Sequence, residues 1–176
     1  MDRSPDDRPL DRVKAAIGSA VFFLLAPGIV AGFIPWLITG WRFVRAPAGW
    51  WPALLLGAVL VVAGLAVLID CFVRFAWQGV GTPAPIAPTR HLVVTGAYRY
   101  VRNPMYVAVV TIILGQVLLF ASLPLLVYGA LAWLATHIFV LAYEEPTLRS
   151  TYGAEYDAFT SAVPRWIPRL TAFPPP

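Results

Sequence analysis

NPMYVAVVTIILGQVLLFASLPLLVYGALAWLATHIFVLAY, residues 103–143, runs forty-one positions without a Lys, Arg, Asp or Glu. Pro124 sits near its middle. Arg99 and Arg102 precede the run, and Glu144-Glu145 follow it. Folded at Pro124, the run becomes two apolar helices of about 20 residues, each roughly the 30 Å of a hydrocarbon core at 1.5 Å rise per residue. A hairpin of that kind returns both ends to one face of the membrane. The basic and acidic clusters then meet at one depth on adjacent helices, and they are the leading site candidate.

The rest of the chain agrees. Hydrophobic residues make up 59% of the 176 positions and charged residues 12%. Mean hydropathy is +0.72. This composition fits a single membrane domain and is too short for two. Two more charge-free blocks, 15–41 and 46–69, bring the expected count to four transmembrane helices. They are placed at about 15–40, 50–75, 104–122 and 125–143. The fold class is all-α integral membrane, with five spans if Pro27 and Pro35 split the first. That first segment is too long and too proline-rich for a signal peptide, and no A-x-A site follows it.

Four spans put the N-terminus, the 76–103 connection and the C-terminus on one side. Of thirteen Lys and Arg, only Arg42 and Arg45 fall on the other, leaving eleven. That bias predicts cytoplasmic termini and a cytoplasmic site, in a multi-pass protein of a bacterial inner membrane. Net charge +4 and a pI near 9.6 follow from the same asymmetry, so no nucleic-acid partner is expected. Cys71 stands alone and excludes an intramolecular disulfide. No metal-ligand spacing is present, and no metal is expected.

Residues 1–12 are polar and of mixed charge, and read as a disordered arm. Residues 13–176 read as one membrane domain, its second half from about 77 to 170 carrying the chemistry. Gly79, Gly81, Pro83, Pro85 and Pro88 give the connection an extended, linker-like character. Asp70 and Arg74 are spaced for a local ion pair. Trp36, Trp41, Trp50, Trp51 and Trp77 suit an interfacial belt.

Arg102-Asn103-Pro104-Met105-Tyr106 reads as a helix start, with Asn103 as N-cap and Pro104 in the first turn. The helix N-terminus, Arg99 and Arg102 suit an anionic group, and Tyr106 adds an aromatic face and a hydroxyl. Glu144-Glu145-Pro146 opposes the helix dipole, and Pro146 predicts a break or kink there. A new interfacial amphipathic helix would follow, carrying Leu148, Tyr152, Phe159 and Val163 on one face. The two carboxylates suit sugar hydroxyls or a cation. His137 reads either as a satisfied hydrogen-bond partner or as the wall of a polar cavity, facing Thr111 and Gln116.

Together, Gly96-Ala97-Tyr98-Arg99-Tyr100-Val101-Arg102-Asn103-Pro104-Met105-Tyr106, then Glu144-Glu145-Pro146-Thr147-Leu148, Tyr152-Gly153, Tyr156 and Val163-Pro164-Arg165 resemble the isoprenylcysteine carboxyl methyltransferase family. The related phospholipid N-methyltransferases share its general plan. The resemblance covers about residues 70–170. It implies a multi-pass enzyme using S-adenosylmethionine at a cytoplasm-facing pocket. The family's cofactor-binding positions fall on Arg102, Asn103, Pro104, Tyr106, Glu144 and Glu145. Asn103 stands where the family usually has His. Thr160, Ser161 and Ala162 replace its basic residues before V-P-R.

The implied reaction is methyl transfer to a lipophilic acceptor entering from the bilayer. Such a displacement needs near-attack geometry more than a base. Three arginines favour O-methylation of an isoprenylcysteine-like carboxylate, oriented by Arg99 or Arg165. The alternative is N-methylation of a phospholipid amine, with Glu145 accepting the proton. A small transporter subunit would need charges along its spans, and a membrane scaffold would not need the two clusters to meet.

Overall fold

The computed structural model describes residues 25–43, 49–78, 92 and 94–174, the side chains of 75–78 excepted. The expected arm at 1–12, the start of the first span, Trp77's side chain and the linker at 79–91 lie outside the described residues. Five helices follow in order: α1 Leu25–Thr39, α2 Trp51–Gln78, α3 Pro104–Phe120, α4 Leu123–Tyr152 and α5 Ala154–Ala162. A 3-10 turn at Gly96–Arg99 leads into α3. The described residues contain no strand.

Two helices are long and apolar enough to cross a membrane, within Trp51–Arg74 and Leu123–Tyr152. Only 17% of the most apolar window of each is buried inside the protein. The core helix of a soluble protein shows the reverse, so these apolar faces point to lipid. α1 and α3 are apolar but shorter.

α2 and α3 pack antiparallel at close range. A Cβ on Gly57 would lie 2.7 Å from the Gly115 carbonyl oxygen, and one on Gly64 would lie 3.0 Å from the Ala108 carbonyl oxygen. Between apolar helices in lipid, burial supplies little drive for association, and small residues allow the van der Waals contact that does. At the far end of this pair Trp50 Nε1 donates to Leu118 O at 3.1 Å. Ala31, Leu68, Phe72, Ala108, Ile112, Ile113, Phe120 and Leu125 make the membrane core.

The α3–α4 hairpin turns two residues earlier than expected. Ala121 takes a left-handed conformation with φ 48°, and Ser122 Oγ accepts from Leu125 N at 3.3 Å as N-cap. Pro124 therefore sits in the first turn of α4, where its missing N–H leaves no bond unmade.

The chain does not leave the helix at Pro146, although a fresh α segment, Glu145–Tyr152, opens there with the proline in its first turn as expected. α4 passes through it by means of a π turn at Val140–Glu144, in which Glu145 N–H reaches back five residues to Val140 O. α1 meets Pro35 in the same way. A π turn at Ile29–Phe33 precedes it, and Ile34 N–H bonds to Ile29 O. A wider turn gives a proline ring room that an α turn lacks. Pro35 has no N–H to offer the carbonyls of Val30 and Ala31. Tyr128 Oη donates to Val30 O at 2.8 Å and Gln116 Nε2 to Ala31 O at 2.6 Å. Side chains of α3 and α4 thus satisfy groups that would otherwise be stranded in an apolar interior.

α5 is separated from α4 by Gly153, whose φ of 52° few other residues accept. Tyr156, Phe159 and Val163 bury against Val94, with Leu148, Tyr152 and Phe173 at the edge. The apolar face expected to rest on the membrane surface is instead a second core. The tail beyond α5 runs along residues 99–102: Arg102 N bonds to Pro164 O, Arg169 N to Tyr100 O and Phe173 N to Arg99 O, each at 2.9 Å.

Candidate functional site

The predicted site lies on the seam between the two cores. The hairpin brings Arg102 to Glu145, with Nη1 2.9 Å from Oε1. Arg165, carried in by the tail, grips the same carboxylate through Nε to Oε1 at 2.6 Å and Nη2 to Oε2 at 2.9 Å. The side chains of Arg102 and Glu145 are each only 13% exposed. The hydrogen bond to Glu145 raises the Arg165 guanidinium above its ordinary value. Burial pushes the Tyr156 phenol up, and the neighbouring Arg102 works against that rise.

Glu144 does something different. Its Oε2 accepts from Tyr106 Oη at 2.9 Å. The adjacent carboxylates thus part company: Glu145 is enclosed by guanidinium groups, and Glu144 meets a phenol on the first turn of α3.

Two predicted residues turn toward the tail. Asn103 is the N-cap of α3, but its side chain makes no capping bond; its Nδ2 donates to Arg165 O at 3.2 Å. Its φ of −118° and ψ of 55° turn the amide toward the tail instead. Arg99 donates its Nε–H to the Phe173 carbonyl at 2.5 Å. Asp70 and Arg74 do pair, at 2.7 Å. Arg74 also packs on Gly96, where even a methyl group would clash with its guanidinium.

His137 is a satisfied partner: its Nδ1 accepts from Trp166 Nε1 at 3.0 Å. It also stacks on Trp133. A cavity of about 170 Å³ lies beside this pair, lined by Tyr106, Val107, Val110, Thr111, Trp133 and Trp166. Sequence reading missed Trp133 and Trp166. Trp133 left a signal, since it stands four residues before His137 on the same helical face. Trp166 left none, because its place depends on where the tail returns.

Arg102 Nε is buried without a partner among the described residues. An orphaned charged donor, a phenol–carboxylate pair and aromatic walls suit a ligand that is part anion, part cation and part ring.

The phospholipid methyltransferase family model matches residues 52–155, from the start of α2 through α5's first turn. No curated protein and no solved structure matches the chain. The matched span holds Arg102, Asn103, Pro104, Tyr106, Glu144 and Glu145, while Arg165 and Trp166 lie beyond it. Since it takes in more than half of the 176 residues, the chain belongs to the phospholipid methyltransferase family, whose members are membrane methyltransferases.

Proposed function

We propose that the protein is an S-adenosylmethionine-dependent methyltransferase acting on the amine head group of a membrane phospholipid. One observation carries the choice of acceptor. The arginines that a carboxylate acceptor would need are engaged: Arg102 and Arg165 with Glu145, and Arg99 with Phe173 O. The groups at the cavity are Tyr106, hydrogen-bonded to Glu144, and two indoles.

Bound S-adenosylmethionine supplies an electrophilic methyl group on a sulfonium. Arg102, with its unpartnered Nε, and the opening turn of α3 at Asn103 and Pro104 suit the cofactor's carboxylate. Tyr106 and Glu144 suit its ammonium or ribose. Glu145 acts on this pocket by fixing Arg102 and Arg165. The residues' main task is to hold two partners in line, with water kept from the apolar side.

In the membrane, α1 through α4 make four spans in one domain, with both termini and the site at the cytoplasmic face. The eleven-to-two distribution of basic residues supports this. In a Cys71-free background, a cysteine placed at residue 85 should react with an impermeant reagent only from the cytoplasmic side. Labelling from outside alone reverses the orientation.

Tyr106→Ala and Glu144→Ala should each weaken S-adenosylmethionine binding by about tenfold, on the order of 1.4 kcal/mol. Calorimetry in detergent checks this, and unchanged affinity in both variants removes the pocket. Methyl label supplied to vesicles should enter base-stable N-methyl phospholipid. An amine reacts only after losing its proton, so the rate should rise from pH 6 to 8. The second reading, a lipophilic carboxylate acceptor, draws on the unpartnered Arg102 Nε. It predicts a base-labile ester that releases methanol, formed at a nearly flat rate over the same range.

A further inference from the structure

Trp133, His137 and Trp166 form one aromatic unit that joins α4 to the C-terminal tail. The Trp133 and His137 rings stack with centroids 5.2 Å apart and planes 12° apart. Trp166 Nε1–H donates to His137 Nδ1 at 3.0 Å. To accept there, His137 must be neutral with its proton on Nε2. The tail around Trp166 has no helix or strand to fix a side chain, so this bond sets the direction of the indole.

The two indoles and Tyr106 form three aromatic walls of the 170 Å³ cavity, and no cationic side chain lines it. Its volume is smaller than the about 300–1,000 Å³ of drug-sized ligand sites and suits a head group of a few heavy atoms. Its chemistry points the same way. Aromatic faces attract ammonium groups. The Tyr106 hydroxyl donates to the Glu144 carboxylate at 2.9 Å, which pushes electron density into that ring and strengthens the attraction. A neutral His137 adds no opposing charge.

Resting on the phospholipid-amine reading above, we infer that this aromatic cavity seats the ammonium group of the acceptor. We infer also that His137 is a positioning residue that holds Trp166 as one of its walls.

The test uses the full chain in micelles, with tryptophan indoles labelled by 15N. Dihexanoyl phosphatidylethanolamine is titrated in, and dihexanoyl phosphatidylglycerol, with the same chains but no ammonium, is the control. The amine lipid should shift the Trp133 and Trp166 indole signals saturably, and the control should not. His137→Leu should displace the Trp166 signal in the free protein and raise half-saturation about tenfold, in the range of one or two cation–π contacts. His137→Asn keeps an acceptor oxygen and should restore affinity to within about threefold. Equal response to both lipids makes the cavity a chain site and overturns the proposal. So does a Trp166 signal indifferent to His137→Leu. Silent Trp133 and Trp166 signals, while phosphatidylethanolamine is still methylated, remove the seat and leave the proposed function standing. Saturable, ammonium-dependent shifts without any methyl transfer do the opposite.

Discussion

Glu145→Leu should lower the stability of the protein by about 3–5 kcal/mol, the usual loss when one partner of a buried ion pair is removed. Glu144→Gln, one residue away, should cost under about 1 kcal/mol, because the amide oxygen still accepts from Tyr106. The contrast follows from what each carboxylate touches. Glu145 closes three hydrogen bonds from Arg102 and Arg165. Without it, Arg102 keeps a charge in a place where its side chain is 13% exposed. Arg165, at 30% exposed, recovers part of its loss from water. Asn103 and the tail, which meet at the Arg165 carbonyl, should loosen with it. Thermal unfolding in one detergent checks the pair. Equal losses at the two positions would sink the division between a carboxylate that holds the seam and one that faces ligand. A Glu144 variant should then fail in binding while still folded, and a Glu145 variant should fail in both.

Gly115→Leu should be the most damaging change within the membrane. A Cβ at Gly115 already stands 2.7 Å from both Gly57 O and Val61 Cγ2. Backbone cannot yield as the end of a long side chain does, so α2 and α3 must separate along their whole contact. Overpacking costs about 1–3 kcal/mol even for small additions, and a leucine here should exceed that range. Gly32→Ala supplies the control, since nothing lies within 4 Å of a Cβ there. It should be neutral or slightly stabilising by helix propensity. Unfolding midpoints and the yield of monodisperse protein report both. If Gly115→Leu melts with the parent protein, the close packing of α2 on α3 is not what holds the bundle.

The hairpin was legible because its determinants are lengths and charges. A run without charge from Asn103 to Tyr143, bounded by arginines and glutamates, brings those ends together whatever the details of packing. That the Arg102–Tyr106 segment meets Glu144-Glu145 follows from that alone; which side chain pairs with which does not. Asn103 illustrates what was hidden. Its place at the start of α3 was readable, but its amide serves the tail, and the tail's course is set by backbone bonds to Arg99, Tyr100 and Arg102. No local pattern encodes such bonds. Arg99 was drawn away for the same reason. Pro146 was legible in part: a new α segment does open with it in the first turn, but the π turn at Val140–Glu144 keeps the backbone helical where a break was the alternative.

That π turn has a consequence for spacing. It behaves as one extra residue spliced into an α-helix. Wound as a regular α-helix, the same residues would carry everything beyond Val140 about 100° further about the axis and about 1.5 Å further along it. Glu144 would lose Tyr106 and Glu145 would lose Arg102, though no side chain in the site had been altered. The winding between His137 and Glu145 is therefore as much a part of the site as the identity of its residues. A chain one residue shorter here and α-helical throughout would keep the pocket, whereas one with the same letters and no π turn would not assemble it.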